Sequence, residues 1–411
     1  MLRTVAWQSL KSRKKTVVLT FLSLLVSITV LIAVEHIRFE AKRSFNRSIS
    51  GTDLIVGAPS GELNLLLYSV FRLGSPTNSI QLSSYNMLKE HKSVAWTIPI
   101  SLGDSHRGFR VMGTSSEYFT HYRFGEEDSL KFTHGQPFQS LFDVVIGSEV
   151  AQSLGYSLGD SIVISHGIGS TSFKNHEHAP FVIRGILTPT GTPVDKTVHV
   201  SLAAIEAIHL PPSQLEQIVE QGRTDLLTPS TITAVLVGLK NRFATFTLQR
   251  QLNNFKDDRL MAVLPGVAMT QLWQLMGNIE NLLRVIAFLV LLSSLFGLST
   301  MLIASMNERR LEIAVLRTLG ASPATIFQLI VYEAILIGGL AFSAACALVS
   351  ASLATLSDWL IQHYGLFLSA NIFSLDVAIL GICVFVAIVL AALAPAIEAY
   401  KNALNTQLSP S

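Results

Sequence analysis

The sequence predicts a membrane protein: four transmembrane α-helices with a large α+β extracytoplasmic domain inserted between helices 1 and 2. Three observations carry that expectation. The 411 residues are 49% hydrophobic and only 14% charged, where an ordinary soluble chain carries about 25% charge. Four stretches, at residues 17–34, 285–305, 329–356 and 377–393, are apolar over about the length that crosses a hydrocarbon core. Between the first two, residues 36–280 return to a mixed composition with strand-like and helix-like periodicities. The net charge of +2 is a small difference between 30 basic and 28 acidic residues, so no polycationic surface is expected and nucleic acid is not implied as a partner. Two cysteines cannot build a disulfide framework.

Taken in order, residues 1–16 carry an amphipathic stripe of Leu2, Val5, Ala6, Ser9 and Leu10, with Trp7 suited to the interface. They are expected to form a cytoplasmic helix lying along the membrane. Arg3, Lys11, Arg13, Lys14 and Lys15, with no acid among them, precede the first span and place that flank inside. The run is too long for a signal-peptide core and has no small-residue cleavage site before Glu35, so it reads as a retained anchor. In the exported block, strands are expected at 53–56, 94–100, 144–146, 161–165, 181–187, 197–200 and 231–239, and helices at 61–71, 148–154, 202–207 and 242–254. The second span ends at 305. Residues 306–328 then concentrate Arg309, Arg310 and Arg317 and are expected in the cytoplasm. A third span, a short outer loop at 357–376 and a fourth span follow, and the polar tail 395–411 is expected to leave the bilayer where Pro395 disrupts the last helix. Both termini are then cytoplasmic.

The most informative stretch is residues 307–320, NERRLEIAVLRTLG. Leu311, Val315 and Leu319 recur at i, i+4, i+8 on one stripe, with Ile313 and Leu316 beside it, while Glu308, Arg309, Arg310, Glu312 and Arg317 supply its charges. Glu308 and Glu312 are like charges four apart, which disfavours an isolated helix and suggests that the charges meet partners outside it. The residues alone leave two readings open, a helix lying on the inner leaflet and a docking helix for another protein. Gly320 stops the helix, and Ser322 with Pro323 supplies an N-cap and first-turn proline for the next one. Glu333, inside the third span, is expected to snorkel or to find a polar contact in the bundle.

All eleven histidines fall on the outer side of this topology. His166, His176 and His178 lie close together in sequence, with Glu177 between the last two, and could bring imidazoles and a carboxylate to zinc, with solvated loop polars as the plainer reading. No P-loop, H-E-x-x-H or C-x-x-C occurs, so the chain is not expected to bind and hydrolyse ATP itself, nor to be an enzyme.

With N-E-R-R-x-E-I-x-V-L-R-T-L-G-A-S following the second span, the chain resembles the FtsX/MacB/LolC family of ABC transporter permeases, the mechanotransmission (type VII) group, in a four-span form without a fused ATPase. LKSRKKTVVLTFLSLLVSITVLIAV at the start, VVIGSEVAQSLGYSLGDSIVI and GILTPTGTPVDKTVHVSL in the exported block, and APAIEAYKNAL near the end agree with it. The resemblance implies a bacterial inner-membrane permease whose residues 307–319 form a coupling helix seated on a separate ABC ATPase dimer, where ATP and Mg would bind. It also implies a second copy of this permease or a homologous one, a MacB-like exported core with a β-rich insertion at about 120–226, and in some members a periplasmic partner protein. ATP-driven motion of the exported domain would then drive export or extraction of a cargo such as a lipoprotein, peptide or small amphiphile. Two alternatives stand beside it: a membrane receptor or scaffold that handles zinc through its outer histidines, and an FtsX-like regulator of an extracytoplasmic enzyme.

Overall fold

The computed structural model describes residues 13–166, 179–223, 226–308, 313, 315, 317, 318, 320–364, 371, 372 and 374–405, with only the backbone of 166, 307, 357–364 and 402–405. The chain divides into two compact units. One is helical and drawn from both ends of the sequence; the other is an α+β unit centred on Ala41–Met276.

Four long helices supply the helical unit: M1 (Lys14–Arg47), M2 (Pro265–Glu308), M3 (Pro323–Tyr364) and M4 (Leu375–Asn405). All four are long and apolar enough to cross a membrane. On M1, Leu24, Ile28 and Ile32 are buried while Val18, Leu22, Val26 and Val30 are exposed along the opposite stripe. A helix with apolar side chains on its open face as well as its packed one is solvated by lipid. M3 and M4 pack closely through small residues. A Cβ on Gly338 would come within 2.4 Å of Ile388 Cδ1, and the rings of Phe342 and Phe385 lie 5.9 Å apart.

Pro395 corrects one expectation, because it does not end or leave the last helix, which continues to Asn405. A proline inside a helix leaves the carbonyl four residues back without its usual N–H. Here that carbonyl, on Ala391, accepts a hydrogen bond from Ser299 Oγ of M2 at 2.6 Å. The helix therefore continues with its backbone satisfied, as hydrocarbon requires.

The α+β unit is organised by one mixed sheet. The unit's strands in chain order are β1 (Leu54–Gly57), β2 (Ile80–Gln81), β3 (Val94–His106), β4 (Phe109–Thr114), β5 (Arg123–Phe124), β6 (Asp128–Ser129), β7 (Phe132–Gly135), β8 (Asp143–Ile146), β9 (Ser161–Ile162), β10 (Ser165–His166), β11 (Phe181–Leu187), β12 (Thr197–Ser201), β13 (Thr231–Ile232), β14 (Ala234–Leu239) and β15 (Met261–Val263); β2 with β13 and β5 with β6 form two-stranded pairs outside that sheet. The main path runs β15-β1-β14-β3-β4-β12-β8-β11-β7, with β10 on β3 and β9 on β11. Pairing is antiparallel except for β12 on β4 and β11 on β8. Strand β3 is long enough to serve two groups: its first half pairs β14 and its second half pairs β4, with a register shift between Leu102 and Ser105.

Both faces of the sheet are covered, so the central strands are buried throughout and alternate between two cores. In β1, Leu54 and Val56 join one cluster and Ile55 the other; in β14, Val235 and Val237 face one way and Ala234 and Leu236 the other. Helices α1 (Glu62–Ser69), α2 (Leu82–Glu90), α3 (Glu117–His121), α4 (Ser148–Leu154), α5 (Leu202–His209), α6 (Pro212–Glu220) and α7 (Thr245–Asn253) cover these faces. Ser201 caps α5 by accepting the Ala204 N–H at 3.1 Å. The strand expected at 94–100 extends to His106, and α2, α3 and α6 stand where no helix was expected.

Candidate functional site

The charged segment after M2 is described in part. Glu308 ends M2 and is exposed. Val315 is 58% exposed, a large apolar side chain among charged neighbours in sequence. Thr318 Oγ1 donates to Val315 O at 2.8 Å, and the Gly320 N–H to Arg317 O at 2.9 Å. Gly320 has φ +92°, the left-handed conformation that ends helices and suits glycine. Ser322 Oγ accepts the Thr325 N–H at 3.3 Å, which makes it the N-cap of M3 with Pro323 in the first turn. Arg309, Arg310, Leu311, Glu312, Leu316 and Leu319 lie outside the described residues.

Glu333 finds a partner that the sequence did not name. Its carboxylate Oε2 lies 3.6 Å from Arg13 Nη2, at the start of M1, with the two side chains only 1% and 8% exposed. A carboxylate at membrane depth demands a cation or a donor, but which of the basic residues supplies it depends on helix packing. At the other end of M1, Glu35 receives Arg284 of M2 through two contacts, at 3.2 and 3.3 Å, and also pairs with Arg38. Arg38 in turn lies 3.6 Å from Glu280.

The α+β unit contains a buried polar cluster that sequence reading missed. Register sets His199 of β12 beside Met112 of β4. Arg72, buried and at φ +59°, donates through Nη2 to Met112 Sδ at 2.7 Å. The Tyr118 ring lies 5.2 Å from the His199 ring and 4.9 Å from Tyr122, whose hydroxyl donates to Ser48 O. Burial, aided by the Arg72 charge and opposed by Val145 O, drives the His199 imidazole down to about 3. Burial pushes the Tyr118 hydroxyl up to about 12 and also raises Tyr122. The Asp195 carboxyl accepts from Thr190 N, Thr190 Oγ1 and Gly191 N at 2.7–3.0 Å, yet burial outweighs these bonds and raises it. These are properties of a packed core held together by polar contacts.

Residues 155–159, GYSLG, have the spelling of a nucleophile elbow. The structure gives them a different context. Gly155 at φ +69° caps the end of α4, Ser157 N–H donates to Asp160 Oδ2 at 2.8 Å, and β9 follows. An elbow runs from strand to helix with its serine at the bend; this turn runs from helix to strand. For the histidine group, His166 is placed by its backbone in β10, while its side chain, His176 and His178 lie outside the described residues. Among the described residues, no group of three or more His, Cys, Asp or Glu is arranged to hold a metal.

On the outer surface of the same unit, Phe243 and Phe246 are 92% and 71% exposed. Phe246 also lines an open groove of 520 Å³ along α7 with Thr247, Arg250, Gln251 and Asn254. The buried side of α7 is Thr245, Leu248 and Leu252, so the fold does not use the two phenyl rings. Phe243→Ser with Phe246→Ser is expected to leave the unfolding free energy from urea titration within the ~0.5 kcal/mol typical of surface substitutions. A larger loss would mean that the rings pack in the folded protein.

Residues 17–255 match the MacB-like periplasmic core domain family, and residues 284–404 match the FtsX-like permease C-terminal family. The periplasmic region of MacB from Actinobacillus actinomycetemcomitans aligns at 12% identity and a TM-score of 0.35 over 55% of this chain and 94% of that one. The extracellular domain of the noncanonic ABC-type transporter YknZ from Gram-positive bacteria aligns at 14% identity and a TM-score of 0.30 over 51% of this chain and 98% of that one. No curated protein matches the sequence.

Proposed function

Since this chain belongs to the MacB/FtsX family of ABC-type permeases, a family of multi-pass membrane proteins, we propose that it is the membrane subunit of an ABC transporter of the bacterial inner membrane, driven by a separate ATPase dimer. One observation supports this above the others: the FtsX-like match covers the apolar second half of M2, M3 and nearly all of M4 together with the charged segment between M2 and M3. In that segment Glu308 and Val315 stand open to a partner. Residues 308–320 are the docking surface in this reading, with Leu311, Val315 and Leu319 entering a groove of the ATPase in the helix-in-groove manner. Glu308, Arg309, Arg310, Glu312 and Arg317 fix the register, Leu316 flanks the stripe and Gly320 ends it.

The work delivered is motion of the exported domain. Four spans in which almost every charged group is at an end or in an ion pair offer no polar conduit for a hydrophilic substrate. M1 and M2, by contrast, continue past the apolar stretches at 17–34 and 285–305 into the segments 35–47 and 265–284 that adjoin the exported residues. A cargo such as a lipoprotein, peptide or small amphiphile is then moved by the outer domain, and a second permease copy or a homologue completes the assembly. ATP and Mg belong to the ATPase.

The test is affinity purification of the full-length protein in mild detergent, followed by identification and quantification of what comes with it. An ABC ATPase in roughly one-to-one ratio is the expected result. Recovery of the chain without any ATPase, from cells that express the neighbouring genes, would remove the reading.

A further inference from the structure

M1 leads to the exported residues, but it has no chain connection to the segment between M2 and M3. Whatever force an ATPase applies at residues 308–320 enters M2 and M3 directly and must cross to M1 through side chains. The structure shows where they hold M1. At its inner end Arg13 meets Glu333 of M3 at 3.6 Å, with both side chains buried; at its outer end Glu35 and Arg38 meet Arg284 and Glu280 of M2. The two helices that flank the docking segment thus grip M1 on either side of its apolar stretch 17–34.

The inner contact is the more demanding of the two. The outer groups are partly exposed, with Arg284 44% open, so water and salt weaken their attraction. Arg13 and Glu333 are shielded from water and salt, so their attraction is screened less and changes more steeply with separation. Glu333 stands ten residues after Pro323, where M3 leaves the elbow at Ser322. A tilt of M3 at that elbow therefore displaces the carboxylate and pulls on the first turn of M1.

We propose that Arg13 and Glu333 are positioning residues that transmit displacement of the docking segment to M1, and through M1 to the exported domain. The inference rests on the docking reading above and adds a route through M1 to the one that M2 provides by direct chain connection.

The experiment uses the full-length permease with its ATPase in lipid nanodiscs, with and without a non-hydrolysable ATP analogue. Amide hydrogen exchange of residues 35–47 reports on M1. In the wild type, exchange there changes with nucleotide. Glu333→Gln and Arg13→Gln are expected to keep the ATPase bound at wild-type stoichiometry while the nucleotide-dependent change in exchange falls about tenfold, the scale on which single residues act in a coupling network. The exchanged pair, Arg13→Glu with Glu333→Arg, is expected to restore it; a role confined to stability would not produce restoration of a nucleotide response. Should the single variants fail to accumulate in the membrane, the exchanged pair decides alone: a restored response supports the link and an absent one overturns it. A wild-type response in Glu333→Gln, or no response in the wild-type complex with its ATPase bound, also overturns it. Failure of the ATPase to bind the wild type is a separate outcome that counts against the docking reading itself.

Discussion

Lysine at both Glu308 and Glu312 is expected to remove the ATPase from the purified complex, while the permease still inserts and its outer domain still folds. The charge reversal separates two readings because they respond with opposite signs. A helix that only rests on an anionic leaflet gains about 1 kcal/mol for each lysine brought to the surface, so the double substitution would hold it there more firmly. A helix seated on a protein that offers basic groups or helix N-termini to those carboxylates meets repulsion instead. Leu311→Ala with Val315→Ala gives the apolar counterpart: truncating a buried anchor at an interface costs about 2 kcal/mol or more, roughly thirtyfold in affinity for each. Titration of the ATPase onto nanodisc-bound permease measures both. Unchanged affinity in the Glu308→Lys, Glu312→Lys variant would return residues 308–320 to the surface of the bilayer.

Acidification from pH 6.5 to 4.5 is expected to make the outer domain easier to unfold, with His199 as the main group responsible and His106, whose imidazole burial also lowers, adding a loss of the same sign. The folded-state value of His199, about 3, lies below the 6.5 of a free imidazole. Below pH 6.5 the unfolded chain therefore takes up a proton that the folded chain refuses. Stability present above 6.5 is lost as the pH falls, at about 1.4 kcal/mol per pH unit for one such group. Asp143 adds a loss of the same sign only under more acidic conditions. Burial works to raise its carboxyl, but the Ser140 and Gln139 N–H groups and Arg184 outweigh it and hold it below 3.8. Asp195, raised by burial, acts in the opposite direction, from its raised folded value down to 3.8. Urea midpoints of the full-length protein in detergent, followed by exchange of β12 amides, should fall with pH in the wild type. In His199→Leu they should start lower, because the bond to Val145 O is lost, and fall less steeply between 6.5 and 4.5, where the lowered His106 imidazole still contributes. An equal slope in the variant would assign the acid sensitivity to another residue.

The four spans were legible because 18 or so apolar residues in a row have few other uses, and the larger strands because burial on both faces writes continuous apolar runs such as VVI at 144–146. Two-residue strands such as β2 and β13 leave no period to detect. Helices α2 and α6 are short and mostly polar outside, and α2 buries only Ser84, Tyr85 and Leu88, a pattern that a loop could equally show. Gly103 hid the second half of β3. Pro395 misled because its cost depends on a serine 96 residues earlier in the chain, Ser299. The polar elements at the site divide in the same way. The elbow at Gly320, Ser322 and Pro323 is local chemistry and could be read directly. Arg13 with Glu333, and Arg72 with Met112, Tyr118 and His199, are meetings of distant segments, and in each case the sequence showed at most a buried charge in need of company.

The placement of β1 sets an order of events during synthesis. This strand is among the first exported residues to appear, yet its two neighbours in the sheet are β14 and β15, at 234–239 and 261–263. At about 5–20 residues per second, the apolar run Leu54, Ile55 and Val56 waits on the order of 10–40 s before either neighbour has emerged. During that interval it is an unpaired, aggregation-prone edge held close to the membrane by the span already inserted. Folding of the outer domain is thus completed from its far end backwards, and the last strand to arrive secures the first.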